Sequence, residues 1–233
     1  MNTILILNPK GGAGKSTLSV NLAGFFACWG VSVTIADFDD QATSLDWLAA
    51  RPANCPAIQG IAIKDKSLQL RVPTDYLILD VPSGHYRDDL IPWIQQADKI
   101  VVPVVPSPND IRAASRFLNW IATDERMEKH TQSIAIVANR VRKSTRSFGL
   151  LKSFLSSAPI PCIGILRDTQ NYVLASQYGL SVFELPHYKI KQELQQWQHI
   201  VNWLCIDPFI DSNVPIKPDQ SVYDAIYGVA SMS

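Results

Sequence analysis

Short apolar runs recur along the chain, and most are followed by hydrophobic residues at helical spacing. Thr3-Ile4-Leu5-Ile6-Leu7-Asn8, Val31-Ser32-Val33-Thr34-Ile35-Ala36, Asp75-Tyr76-Leu77-Ile78-Leu79-Asp80, Ala97 to Val105 and Ser133 to Arg140 read as strands. They are apolar on both alternating faces, as strands covered on both sides must be. Between the first two, Leu18, Leu22, Phe25 and Phe26 mark one face of a helix closed by Gly30. From His187 to Ile206, a stripe of Ile190, Leu194, Trp197, Val201 and Leu204 falls on one helical face, with Lys189, Lys191 and Glu193 mostly elsewhere. That stripe predicts core packing rather than a partner surface. Strand and helix alternating in this way imply right-handed crossovers and a single α/β domain. Its sheet is mostly parallel, twisted and flanked by helices on both faces, and ligand binds at the strands' carboxyl ends.

Two stretches interrupt the pattern. Arg51 to Val72 holds Pro52, Pro56 and a short apolar piece, Ala57 to Ile63, which predicts an added edge strand or a hairpin. Residues 1–206 form the expected domain, and 207–233 form a carboxyl-terminal extension with Pro208, Pro215 and Pro218 that docks on the domain or contacts a partner.

The candidate chemistry begins right after the first strand. Pro9-Lys10-Gly11-Gly12-Ala13-Gly14-Lys15-Ser16-Thr17 fits the end of G-x-x-x-x-G-K-[ST], the loop whose backbone N–H groups wrap polyphosphate. Gly14, Lys15 and Ser16 match. Pro9 replaces the first glycine, and Lys10 adds a second lysine free to reach outward. The plain alternative is a glycine turn with a solvated lysine.

Further along, Asp37-Phe38-Asp39-Asp40-Gln41 follows the second strand. A carboxylate at a strand's end suits the orientation of a nucleophile in phosphoryl transfer, where positioning and charge neutralisation do most of the work. The alternative is a polar turn in which one aspartate caps the helix beginning near Ala42.

Lys10 to Thr17 resembles the K-G-G-x-G-K-[ST]-[ST] hallmark of the ParA/MinD class of P-loop ATPases, and the resemblance runs from residue 3 to about 186. Asp37 to Gln41 is similar to that class's D-x-D-P-Q, with Asp40 where proline is usual, and Asp39 thereby matches the carboxylate that positions the attacking water. Asp75 to Asp80 with Val81-Pro82-Ser83-Gly84 resembles the class's Walker B strand and switch loop, so that Asp80 and Ser16 hold Mg²⁺. Pro106-Ser107-Pro108-Asn109-Asp110 resembles its P-S-P-x-D turn. Asn139 matches an asparagine that reads adenine, a role that its paired donor and acceptor suit; the alternative is that it is only a turn residue. The resemblance implies ATP and Mg²⁺ as cofactors, with Gly11, Gly12, Ala13, Gly14, Lys15, Ser16, Thr17 and Asn139 binding nucleotide and Lys10, Lys15 and Asp39 catalytic. It implies a homodimer formed with ATP, Lys10 reaching the nucleotide across the interface, and a ParB-like or cargo adaptor protein that stimulates hydrolysis.

Composition narrows these expectations. With 233 residues, 47% hydrophobic, and no apolar run long enough to span a bilayer, a single soluble domain is expected. The chain opens on its first strand, so neither a secretory signal nor an amino-terminal helix-turn-helix domain is expected. Nothing after Lys217 is basic, which argues against a MinD-type membrane helix. Cys28, Cys55, Cys162 and Cys205 are widely spaced packing residues in a cytoplasmic protein, and none falls where nitrogenase iron-protein relatives hold a cluster.

Formal net charge is zero, so contact with DNA must come from a local patch. Arg140, Arg142, Lys143 and Arg146 cluster after a strand, with Lys152 beyond, and Arg167 ends another strand as an arginine does in relatives. They form either a phosphate-binding patch for nonspecific DNA or a solvated helix entrance. Asp168-Thr169-Gln170-Asn171 after Arg167 lacks the relatives' second basic residue, which places Arg140 to Arg146 ahead of it. The expected activity is a ParA-type ATPase that partitions or positions a cargo and associates with the nucleoid when ATP is bound. The rivals are a nucleotide-switched adaptor that binds only proteins and a metabolic enzyme of the dethiobiotin-synthase kind.

Overall fold

Among the described residues, seven strands form one all-parallel sheet in the order β3-β2-β4-β1-β5-β6-β7. The computed structural model describes residues 1–63, 68–70, 72–84 and 87–205. The strands are β1 (Asn2–Ile6), β2 (Val33–Asp37), β3 (Gln59–Ala62), β4 (Tyr76–Asp80), β5 (Lys99–Val104), β6 (Ile134–Val141) and β7 (Cys162–Arg167). The helices are α1 (Lys15–Cys28), α2 (Thr43–Ala49), α3 (Arg87–Gln96), α4 (Pro108–Thr123), α5 (Arg146–Ser157), α6 (Gln170–Gln177) and α7 (His187–Leu204).

Alternation along β1 explains the two layers. Ile4 and Ile6 face a core built with α1, α2 and α7, around Phe26, Trp47, Phe183 and Trp197. Leu5 and Leu7 face the opposite core, built with α3, α4 and α5 around Ile94, Phe117, Leu118 and Leu151. The segment Ala57 to Ile63 supplies the edge strand β3, parallel to β2, which rules out a hairpin.

Two expectations need correction. The helix after the loop is buried all round from Leu18 to Ala27, not along one face, because α1 lies under the 3₁₀ turn Val182–Glu184 as well as against the sheet. Its polar residues are satisfied internally: Ser19 Oγ donates to Lys15 O, and Asn21 accepts from Val182 N at 2.7 Å. Gly24 is required there, since a Cβ would stand 2.2 Å from the Ser181 side chain. On α7, Ile190, Trp197, Val201 and Leu204 are buried as expected, but Glu193 is fully buried too and belongs to the core side. An arginine from β7 makes that burial possible, as described below.

Among the described residues, no helix is long and apolar enough to cross a membrane. The four cysteines are half-buried thiols, with burial pushing Cys28 up to about 12. The segment 207–233, including Val222 to Gly228, lies outside the described residues.

Candidate nucleotide site

The glycine-rich loop leaves the carboxyl end of β1, between β4 and β5, and feeds α1 directly. Asn8, fully buried, anchors its start: the side chain donates to Pro103 O on β5 at 2.6 Å and accepts from Lys10 N at 2.8 Å. Gly14 has φ 90°, and a Cβ there would stand 2.3 Å from Asn139 Nδ2. Only glycine permits both that backbone and that approach. The loop thus ends at a helix N-terminus whose N–H groups have no intrahelical partner, the arrangement that attracts a phosphate.

Lys15 is buried, its Nζ resting 3.4 Å from Asn8 O. Burial lowers its pKa, and the charges of Asp80, Asp39 and Asp110 pull it back up. Lys10 is half-buried, and its ammonium has no ion pair among the described residues.

Asp80 ends β4 beside the loop. Ser44 donates its hydroxyl to the carboxylate at 2.5 Å, and the Ser16 hydroxyl lies close enough to favour the charged form as well. Burial nevertheless dominates and pushes Asp80 up to about 6. Ser16 and Asp80 present two hard oxygens side by side, which fits Mg²⁺, a cation that takes one or two protein oxygens and fills its octahedron with phosphate and water. Among the described residues there is no cluster of three or more His, Cys, Asp or Glu to hold a metal by themselves.

The aspartates at the end of β2 and just beyond it divide their work. Asp37 is buried and acts as the cap of α2, accepting from Asp39 N and Ser44 N at 2.9 and 3.0 Å. Ala42, the residue before the helix, has φ 50° and offers no side-chain cap, so Asp37 fills that role from the strand's end. Asp39 is half-buried, accepts from Gln41 N and lies close enough to act on the Lys15 charge. Asp40 is exposed.

The Pro106 to Asp110 turn is explained by helix capping. Ser107 accepts from Asp110 N, Pro108 occupies the first turn of α4, and Asp110 accepts from Val105 N at 2.8 Å. Asp110 is buried, which raises its pKa, while the charges of Lys10 and Lys15 lower it.

Asn139 sits behind the loop. Its Nδ2 donates to Ala13 O at 2.9 Å, and its Oδ1 accepts from Arg140 N. Arg140 holds φ 52°, an uncommon conformation for a residue with a side chain, and the strand is irregular there. A cavity of about 600 Å³ opens beside Asn139, walled by Thr17, Trp47, Arg167, Thr169, Tyr172 and Leu180.

Arg167, in that wall, donates twice to Glu193 Oε1, at 2.8 and 2.6 Å, and Asn171 donates to the same oxygen. Arg142 pairs with Asp168 at 2.6 Å, while Arg140, Lys143 and Arg146 are exposed. The structure therefore brings Lys15, Ser16, Asp39, Asp80 and Asn139 to one place and sets Lys143 and Arg146 outside it.

Residues 4–182 match the model of the CobQ/CobB/MinD/ParA nucleotide binding domain. The chain belongs to this family. Among family relatives, the maintenance of carboxysome distribution protein A of Halothiobacillus neapolitanus is 24% identical over 190 residues, covering 78% of this chain and 87% of that one. The septum site-determining protein MinD of Bacillus subtilis is 23% identical over 218 residues, covering 76% and 80%. Among solved structures, an ATP complex of Cyanothece McdA superposes with a TM-score of 0.67 at 18% identity, covering 90% of this chain and 98% of that one. That likeness shows the ParA/MinD α/β fold.

Sequence reasoning missed two contributors to the site, Ser44 and Trp47, and an ion pair that braces α2 behind them. Ser44 is a buried serine in a helix's first turn, and nothing in its surroundings marks it. Trp47 donates from Nε1 to Leu180 O at 3.0 Å and walls the cavity. Arg51 and Glu184 form a buried bidentate pair that ties the end of α2 to the 3₁₀ turn over α1. Only tertiary placement reveals either.

Proposed function

We propose that this member of the family is a ParA-type ATPase that binds Mg²⁺ and ATP, dimerises with ATP, binds nonspecific DNA and positions a cellular cargo until hydrolysis resets it. The observation that carries this reading is the pair of lysines on one loop beside the Ser16 and Asp80 oxygens. Lys15 is directed inward, whereas Lys10 has no ion pair among the described residues and remains available to a nucleotide bound by a second copy.

When bound, Mg²⁺ would neutralise phosphate charge. Ser16 and Asp80 hold it, the loop N–H groups and Lys15 cradle the phosphates, and Asp39 orients the attacking water. Lys10 from the partner copy neutralises charge developing on the transferred phosphoryl group. Asn139 has one further donor and one further acceptor position left for adenine, and the adjoining cavity takes the nucleoside. A γ-phosphate that Lys10 can reach favours the dimer, and its loss favours separation. A partner protein, ParB-like or a cargo adaptor, accelerates that reset.

DNA contact falls to Arg140, Lys143 and Arg146, which are exposed, and to Arg142, which is exposed but shared with Asp168. The bond from Arg140 N to Asn139, and from Asn139 to the loop, links this patch to the nucleotide. Arg167 is the weaker candidate, because its guanidinium is committed to Glu193.

The test is binding to nonspecific double-stranded DNA with ATP, ADP or no nucleotide across a salt series. Binding with ATP alone, weakening steeply as salt rises, is expected. Absence of binding in every state overturns the DNA part and favours the adaptor that binds only proteins or the metabolic enzyme.

A further inference from the structure

Among the described residues the sheet ends at β7, whose outer edge has no neighbouring strand there. Along it runs a groove of about 1050 Å³ between α5 and α7. Ile163, Gly164 and Ile165 of β7 line it, together with Leu155 and Trp203. An open parallel edge with an apolar lining is a hazard that folded proteins cover. At one end the cover is present: Gln196 of α7 accepts from Arg167 N at 3.0 Å.

The groove's charge is one-sided. Lys143 and Lys152 line it, and no carboxylate does among the described residues. Residues 206–233 have the opposite character, with Asp207, Asp211, Asp219 and Asp224 against the single Lys217. In a chain of zero formal charge, the remainder carries the matching excess of cations. The segment also holds apolar side chains suited to such a lining, among them Phe209, Ile210, Val214 and Ile216.

Connectivity puts the two together. Asn202 and Trp203, in the last turn of α7, line the groove, and the chain leaves that helix at Cys205. At about 3.3 Å per extended residue, β7 is only a fraction of the length that 206–233 can span.

We propose that residues 206–233 fold back onto their own domain and occupy this groove, covering the β7 edge with their aspartates against Lys143 and Lys152. The interaction is intramolecular and does not depend on the nucleotide cycle proposed above; at Lys143 it and DNA contact exclude each other.

The test uses the full chain, mixed from isotopically light and heavy preparations and treated with a carbodiimide that joins an amine to a carboxylate in direct contact. Peptide mass spectrometry is expected to find Lys143 or Lys152 joined to Asp207, Asp211, Asp219 or Asp224 within one isotopic form. Links joining light to heavy chains would mean that a second copy fills the groove, and absence of these links while other lysine–carboxylate links form would mean that the tail lies elsewhere; either overturns the proposal. As a second readout, Cys162 in the groove is alkylated severalfold faster when the four aspartates are replaced by asparagine. An unchanged Cys162 rate contradicts the docking.

Discussion

Ser44 donates its hydroxyl to the Asp80 carboxylate at 2.5 Å while its backbone N–H donates to Asp37 at 3.0 Å. One buried residue thus joins the ends of β2 and β4, the two strands that carry the site's carboxylates. The same helix reaches onward through Trp47 to Leu180 and through Arg51 to Gly179 and Glu184. α2 is therefore a strut between the phosphate side of the site and the turn that covers α1.

Ser44→Ala removes a hydroxyl from a buried, charged acceptor. A loss of about 1–3 kcal/mol in unfolding free energy is expected. Chemical denaturation of the nucleotide-free protein measures it, and a stability unchanged from wild type contradicts the strut.

The pKa of Asp80 gives a pH signature. Burial raises it to about 6, so the folded protein holds this proton more tightly than the unfolded chain does. Stability contributed by the protonated form is lost as pH rises from near 4 through 6. Asp80→Asn removes that cost, so at pH 8 the variant melts higher than wild type without nucleotide. The advantage shrinks as pH falls below about 6. Melting curves of both proteins from pH 5 to 8 check the sign, and a difference that does not change with pH contradicts it.

Arg51 and Glu184 are almost fully buried, at 6% and 7% side-chain exposure. Arg51→Ala leaves the Glu184 charge in the interior, where Ser181 N and Oγ are its remaining donors. A loss of about 3–5 kcal/mol is expected. Arg51→Met with Glu184→Gln recovers part of it, because no unpaired charge remains. Equal stability for Arg51→Ala and that double variant would show that the pair is not the cause.

How much of this was legible in the sequence follows from how local each feature is. β1, the loop and α1 were legible because apolar run, glycine spacing and helix follow each other without a break. The parallel sheet followed from the alternation of strand and helix. Ser44 with Asp80, Arg51 with Glu184 and Arg167 with Glu193 were not legible, since each joins residues 26 or more positions apart. Glu193 misled for the same reason: a glutamate on a helix reads as solvated until an arginine from another strand neutralises it. The all-round burial of α1 depended on the turn at Val182–Glu184, far along the chain.

The two carboxylates at the end of β2 and just beyond it make separable predictions. Asp39→Ala leaves the cap of α2 intact and is expected to bind ATP, stay dimeric and lose turnover by at least tenfold, the scale of a lost positioning group. Asp37→Ala removes the cap and costs about 0.5–2 kcal/mol of stability. Normal hydrolysis by Asp39→Ala, read as phosphate release, assigns the water-positioning role elsewhere, with Asp37 the next candidate.

Dimerisation that reports ATP through Lys10 is the step on which the proposed cycle turns. It is tested by sedimentation mass in Mg²⁺ with ATP or ADP, for Asp39→Ala alone and for Asp39→Ala combined with Lys10→Ala, with nucleotide affinity measured in parallel. A dimer for Asp39→Ala with ATP and a monomer with ADP are expected, together with a monomer in both nucleotides for the double variant, which still binds nucleotide through Lys15 and the loop. A dimer of the double variant with ATP, or one mass for Asp39→Ala in both nucleotides, would contradict the account.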